Sequence, residues 1–384
     1  MSKAIAIGRW IFRFLGSYGV SVVLLLFLAL LTFLGTIDQV HHGLYEVQKK
    51  YFESLIVFHR YLGVLPGVYL LLVLAFVNIF CGAILRTRLG WRHMGLFIAH
   101  AGILILLAGA FVSHEFSVRG HVTLYEGEQA ESFISYDAWE LVVTPQDENA
   151  GKQELAISGA DLDRAASNTS VTFYADGLPF DVVVKDFAAN ARPVPADGVE
   201  AVDGFRLERL DHEREVERNV PGAHVVLRDT ASGEEVESLL WGMARYPWAV
   251  TIDGERWAVN LRRVSWPLPF VLRLDRFTRE FYPGTTTPKA FISEVTLLDD
   301  GLEQHARISM NAPLRHRGYT AYQASWGPAD ARPGDRLYSS LSVVRNPAEP
   351  FPLYACAAIC LGLVVHFCVR LVGYLRAENA RRTR

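Results

Sequence analysis

Four long apolar runs mark the chain, and between the third and the fourth the pattern changes from continuous to alternating. The runs cover 18–37, 64–85, 93–112 and 351–372. Each has about the 20 apolar residues that a helix needs to cross a hydrocarbon core. Between 116 and 345 the apolar positions come in short alternating stretches bounded by Gly, Pro, Asp and Asn. SVRGHVTLYEG, FDVVVKDF, AHVVLRD, RWAVNLRRV, FVLRLDRF, AFISEVTLLDDG, GYTAYQASW and YSSLSVV read as strands, and LLDDGLE and YADGLPF as hairpin turns. Many short strands with few helical stretches predict an antiparallel sandwich or open barrel. The fold class is therefore a membrane protein of α+β type. It has four transmembrane helices and a large extracytoplasmic antiparallel β-rich domain inserted between helices 3 and 4.

Charge sets the expected orientation. Lys3, Arg9 and Arg13 precede the first run, RTRLGWRH joins the second to the third, and Arg370, Arg376, Arg381, Arg382 and Arg384 follow the fourth. The positive-inside rule puts these three regions in the cytoplasm, and the long 116–350 segment on the outer, periplasmic side of a bacterial inner membrane. The first run has no small-residue cleavage site after it and reads as an uncleaved signal anchor. The segment 41–61 spaces Leu44, Val47, Tyr51, Leu55 and Phe58 at helical intervals, which predicts an amphipathic helix on the outer surface. The organisation is then 1–115 with three spans, 116–350 as the outer domain, and 351–384 as the last span and a basic tail.

Composition narrows the function. The 384 residues are 51% hydrophobic with a formal net charge of -3, which gives no reason to expect nucleic-acid binding. The four cysteines, Cys81, Cys356, Cys360 and Cys368, all lie in or beside apolar runs, so neither disulfides nor thiolate metal sites hold the outer domain. Phosphate-binding loops, nucleophile elbows, HExxH and CxxC pairs are absent from the sequence. The charge-rich ERLDHEREVERN reads as a solvated loop or short helix.

The chemistry that stands out is histidine inside apolar runs. His100 sits in WRHMGLFIAHAGILILLAGAFVS, and ionisable residues within spans usually face a bundle interior and serve a pathway or ligand. Leu96, Phe97, Ile103, Leu104 and Leu107 share its side of an ideal helix, while Gly95, Ala99, Gly102 and Gly109 form a small-residue stripe suited to close helix contact. Spacing alone leaves three roles open: packing by a hydrogen bond to a neighbouring helix, haem or metal ligation, and proton relay. His366 in the fourth run lies in the same half of the membrane, closer to the basic end. His41 and His42 follow the first run and His114 follows the third, placing them at the outer boundary as polar border residues or outer iron ligands.

LGTIDQVHHGLYEVQKKYFES, GLFIAHAGILILLAGAF and FISEVTLLDDGLEQHARISMNAPLRHRGYTAYQASWGP, with the three-span, outer-domain, one-span layout, resemble the ResB (CcsB) family of system II cytochrome c biogenesis. Residues 146–264 add little to the likeness. The resemblance implies a haem-handling subunit that moves haem b outward and presents it, with a ResC/CcsA-type membrane partner, for attachment to apocytochrome c. It implies a non-catalytic or co-catalytic share in a holocytochrome c synthase, with His100 as one axial ligand to haem iron. The opposing ligand would come from the partner, whose tryptophan-rich loop has no counterpart in this chain. His366, His41 and His42 remain secondary candidates for haem binding. Pro313, Gly318, Tyr319, Tyr322 and Gln323 fit a turn and strand with a structural role. The alternative readings are a membrane-anchored scaffold that binds a protein partner without haem, and a b-type electron carrier using His100 and His366.

Overall fold

The computed structural model describes residues 2–86, 90–146, 154–165, 170–174, 178–198, 201–285, 288–328, 332 and 335–383. Part of the basic turn between the second and third runs (87–89) and part of the YADGLPF signal (175–177) lie outside the described residues. Two compact units emerge, Met1–Ser117 with Asn346–Arg384, and Val118–Arg345.

The first unit is helical. It contains α1 (Ser2–Leu15), α2 (Tyr18–Val47), α3 (Val68–Ile79) and α4 (Met94–Phe116). The last helix of the chain, α6 (Phe351–Arg382), belongs here too, whereas the single turn α5 (Gly159–Leu162) belongs to the second unit. Four of these helices, with the π turns that extend α2 to Phe52 and α3 to Leu85, are long and apolar enough to cross a membrane. The chain is a multi-pass membrane protein.

Two features of the first unit follow from glycine. At Gly43 the backbone takes φ 78° and ψ 169°, a region essentially closed to side-chain-bearing residues. There the chain folds back on itself. Lys50 Nζ reaches Asp38 Oδ2 at 2.7 Å, although a straight helix would hold residues twelve apart at about 18 Å. The helical spacing expected over 41–61 therefore holds only to Phe52. Beyond it β1 (Ile56–His59) and β2 (Gly63–Pro66) pair as a hairpin. The expected stripe splits for that reason: Val47 and Tyr51 are buried, Leu55 and Phe58 are exposed, and Val57, which alternation rather than helical spacing selects, is 1% exposed.

The second close approach joins α4 to α6. Gly95, Ala99, Gly102 and Gly109 are the buried residues of α4, and Ala355 and Gly362 those of α6. A Cβ on Gly95 would collide with the backbone of His366 and Gly362, and one on Gly102 would lie 2.9 Å from the Ala355 carbonyl. The stripe expected from sequence is thus the α6 contact, with backbones in direct apposition.

The second unit is antiparallel throughout. Its strands are β3 (Val118–Tyr125), β4 (Gln129–Pro145), β5 (Leu155–Ser158), β6 (Val171–Phe173), β7 (Phe180–Ala188), β8 (Ala191–Pro195), β9 (Phe205–Arg209) and β10 (Gly222–Asp229). There follow β11 (Glu235–Trp241), β12 (Trp248–Ile252), β13 (Glu255–Phe281), β14 (Pro288–Asp299), β15 (Leu302–Ser309), β16 (Leu314–His316), β17 (Tyr319–Gly327) and β18 (Tyr338–Arg345). One sheet runs β15-β14-β13-β4-β3-β18-β17-β16, with β12 added to β13 and β5 to β4, and a second runs β11-β10-β7-β6. The LLDDGLE signal forms the β14–β15 hairpin, with positive φ at both Asp300 and Gly301 as a primed turn requires.

Two cores fill this unit. Leu141, Val143, Phe180, Val182, Val225, Leu227, Trp257 and Leu261 line the first, between the second sheet and the β4–β13 half of the larger one. Val122, Phe133, Leu272, Leu274, Val295, Leu297 and Val343 line the second, inside the curled remainder. Ser293 Oγ donates across that curl to Gln323 Oε1 at 2.7 Å and lies 2.8 Å from Ser339 Oγ, tying β14 to β17 and β18. Gln323 has the structural part expected of its segment.

Candidate functional site

His100 stands on α4, one residue past Ala99 and therefore about 100° around the helix from the small-residue stripe. Its ring is half-buried, and Nδ1 lies 2.7 Å from the Leu96 carbonyl oxygen. A carbonyl only accepts, so Nδ1 carries the proton and donates. The lone pair then belongs to Nε2. Such a ring is held in orientation by its own helix and keeps an unprotonated nitrogen of the kind that binds iron. Phe97, Ile103, Leu104 and Leu107, on the same side, are half-buried apolar neighbours.

His366 is placed differently. Its backbone packs on Gly95, five residues before His100, which puts the two positions about 7.5 Å apart along α4 and about 140° around it. His366 Nδ1 is buried and has no hydrogen-bond partner among the described residues. The backbone of His366 thus meets α4 on its small-residue face, about 140° around the helix from the position of His100.

His41 and His42 lie at the end of α2 beside the Gly43 reversal, with ring centroids 6.5 Å apart. Both are exposed, and His42 Nδ1 lies 3.0 Å from Asp38 Oδ1, the carboxylate that also pairs with Lys50. His114, near the end of α4, lies against Tyr69 of α3 with ring centroids 5.6 Å apart. Among the described residues no group of three or more His, Cys, Asp or Glu side chains is arranged to hold a metal ion. A single imidazole with a free Nε2 suits an iron whose other ligands come from a macrocycle and from another chain.

One further polar residue within a span was not expected. Asn78 of α3 is 5% exposed; its Nδ2 donates to the Leu15 and Ser17 carbonyls at 2.5 and 3.2 Å, and its Oδ1 accepts from Ser21 Oγ at 2.7 Å. It carries the same sequence signal as His100, a polar side chain inside an apolar run. An amide offers no ligand chemistry to single it out, and its role is to pin the α1–α2 corner.

These features define a multi-pass membrane protein with a β-rich unit inserted between its third and fourth spans and an oriented histidine within the third. A sequence model described as the ResB-like family matches residues 246–335, from the turn before β12 to the segment before β18. Over that stretch the chain is similar to the ResB-like family. It is 22% identical over 356 residues to Protein NrfI of Wolinella succinogenes, a match covering 92% of this chain and 35% of that protein. It is 38% identical over 82 residues to the cytochrome c biogenesis protein CcsB of Synechococcus sp. (strain CC9605), covering 21% of this chain and 17% of that one. For the protein of the same name from Synechococcus sp. (strain RCC307), identity is 48% over 61 residues, 15% of this chain and 14% of the relative. The chain therefore spans about a third of the length of NrfI and less of the others.

Proposed function

We propose that this protein acts in cytochrome c biogenesis as a haem-handling membrane subunit. It takes haem b as cargo, carries it outward, and presents it for attachment to apocytochrome c together with a ResC/CcsA-type membrane partner. The observation that carries the reading is the Nδ1–H bond from His100 to the Leu96 carbonyl, which leaves Nε2 as a free ligand off the α4–α6 contact. The match of residues 246–335 to the ResB-like family model and the printed names of the relatives support the biogenesis role.

In this reading His100 holds haem iron through Nε2, and the Leu96 carbonyl fixes the ring plane and raises the basicity of the ligating nitrogen. The apolar side chains around it shelter the porphyrin face. The opposing axial position falls to the partner, and His41 and His42 serve at most a later, outer step. The basic N-terminus and tail lie in the cytoplasm, and residues 118–345 lie outside, where haem leaves.

The test is the absorption spectrum of the purified complex. Wild type shows bound b-type haem; His100→Ala loses most of it and recovers it with added imidazole, which refills the vacated ligand position. An unchanged spectrum in His100→Ala overturns the ligand assignment.

A further inference from the structure

We infer that α1 is an interfacial helix whose partner is the anionic phospholipid surface of the membrane its neighbour α2 spans. Its sequence carries Lys3, Arg9 and Arg13 and no Asp or Glu, with Arg9 and Arg13 one turn apart. Beside them Trp10, Ile11 and Phe14 are exposed at 66%, 44% and 54%, and the Trp10 and Phe14 rings stack at 5.7 Å. Phe12 and Leu15, by contrast, are half-buried. The helix therefore has one face toward the protein and another, aromatic and bordered by the exposed Arg13, that no described residue covers.

The corner between α1 and α2 fixes where that face lies. Ser17 is extended, at φ -89° and ψ 147°, and its Oγ accepts from the Val20 amide, so α2 begins afresh and α1 leaves its axis. Asn78 clamps the corner by donating to the carbonyls on either side of it, Leu15 and Ser17. A Cβ on Gly16 would come 2.9 Å from Gly82 Cα, so the corner sits directly on the end of the second span. A helix held two residues from the start of a span lies at the level of the headgroups. There aromatic side chains enter the acyl boundary and basic ones meet phosphate. Net positive charge without a single acid selects anionic over zwitterionic lipid.

The experiment is hydrogen exchange of the full chain in lipid nanodiscs. The amides of residues 9–15 exchange about tenfold more slowly in discs containing phosphatidylglycerol than in phosphatidylcholine discs, in keeping with the attraction of a few basic residues to an anionic surface. In Arg9→Gln/Arg13→Gln the difference between the two lipids disappears, whereas Trp10→Ser/Phe14→Ser speeds exchange in both. Exchange in α4 reports whether each variant is folded, and the wild-type lipid comparison stands without any variant. Equal exchange in the two lipids overturns the inference, as does protection that arises only when a second protein is added.

Discussion

His121 is an imidazole held by its surroundings rather than by a hydrogen bond. In β3 its ring stacks on Tyr136 with centroids 5.1 Å apart, and its Nδ1 is buried without a partner among the described residues. Burial first, and then the Arg263 guanidinium, hold its pKa below the ordinary value, with Glu217 acting weakly the other way. Arg263 is itself fixed over Trp139 at 4.5 Å and donates to the Tyr136 and Glu217 carbonyls, so the repelling charge cannot swing away. A depressed histidine pKa means that, below the ordinary value near pH 6.5, the unfolded chain binds a proton the folded one refuses. The stability contribution is fully present above about pH 6.5 and is lost as pH falls toward the depressed value. Thermal unfolding of wild type and His121→Phe across pH 7 to 5 checks this, the variant showing the shallower acid loss. An unaltered slope sinks the assignment. Residues of this kind are hidden from sequence, because nothing in SVRGHVTLYEG marks one polar position as facing an arginine more than a hundred residues away. His100 was legible because hydrocarbon makes any ionisable residue conspicuous; Asn78 was equally conspicuous but chemically mute.

Among the elements, the spans and most strands were legible and the joints were not. The small-residue stripe of α4 could be read because only glycine and alanine leave room for a backbone, and α6 takes that room. Gly95→Leu drives a side chain into His366 and Gly362, and a cost of about 1–3 kcal/mol is expected for such overpacking. Ile105→Ala, on the exposed side of α4, should cost within about 0.5 kcal/mol, so thermal midpoints of the two variants separate contact from composition. The reversal at Gly43 was illegible because helical spacing continues through it: Val47 and Tyr51 keep their apolar intervals while the axis turns back. Gly43→Ala forces a Cβ into a glycine-only region and should cost about 1–3 kcal/mol, with faster amide exchange in the 44–52 segment. The strands RWAVNLRRV and FVLRLDRF were expected as two and form one, β13. Pro267 and Pro269 argue for a break. Pro269 is accommodated in the gap of the β4 register between Pro267 and Leu272, and Pro267 is the last position paired before that gap, opposite Ser132.

At the scale of the whole molecule, that shift decides how the β unit behaves. β13 pairs with β4 through Trp257 to Arg263 in the first core and again through Leu272 and Arg273 in the second, so both long strands pass through both cores. Leu261 is 1% exposed in the first core and Leu272 1% exposed in the second, eleven residues apart on one strand. Truncating either to alanine removes a fully buried side chain and should cost about 2–5 kcal/mol. If the cores were independent, Leu261→Ala would loosen β10 and leave β18 untouched, and Leu272→Ala would do the reverse. Continuity of β4 and β13 argues otherwise, since neither core can lose these strands without exposing the other's apolar face. Native-state hydrogen exchange distinguishes the cases through probes in β10 and β18: each variant should speed the slowest amides of both strands together. Acceleration confined to the core that carries the substitution would show that the bulged middle of β13 is a hinge between two separately folding halves.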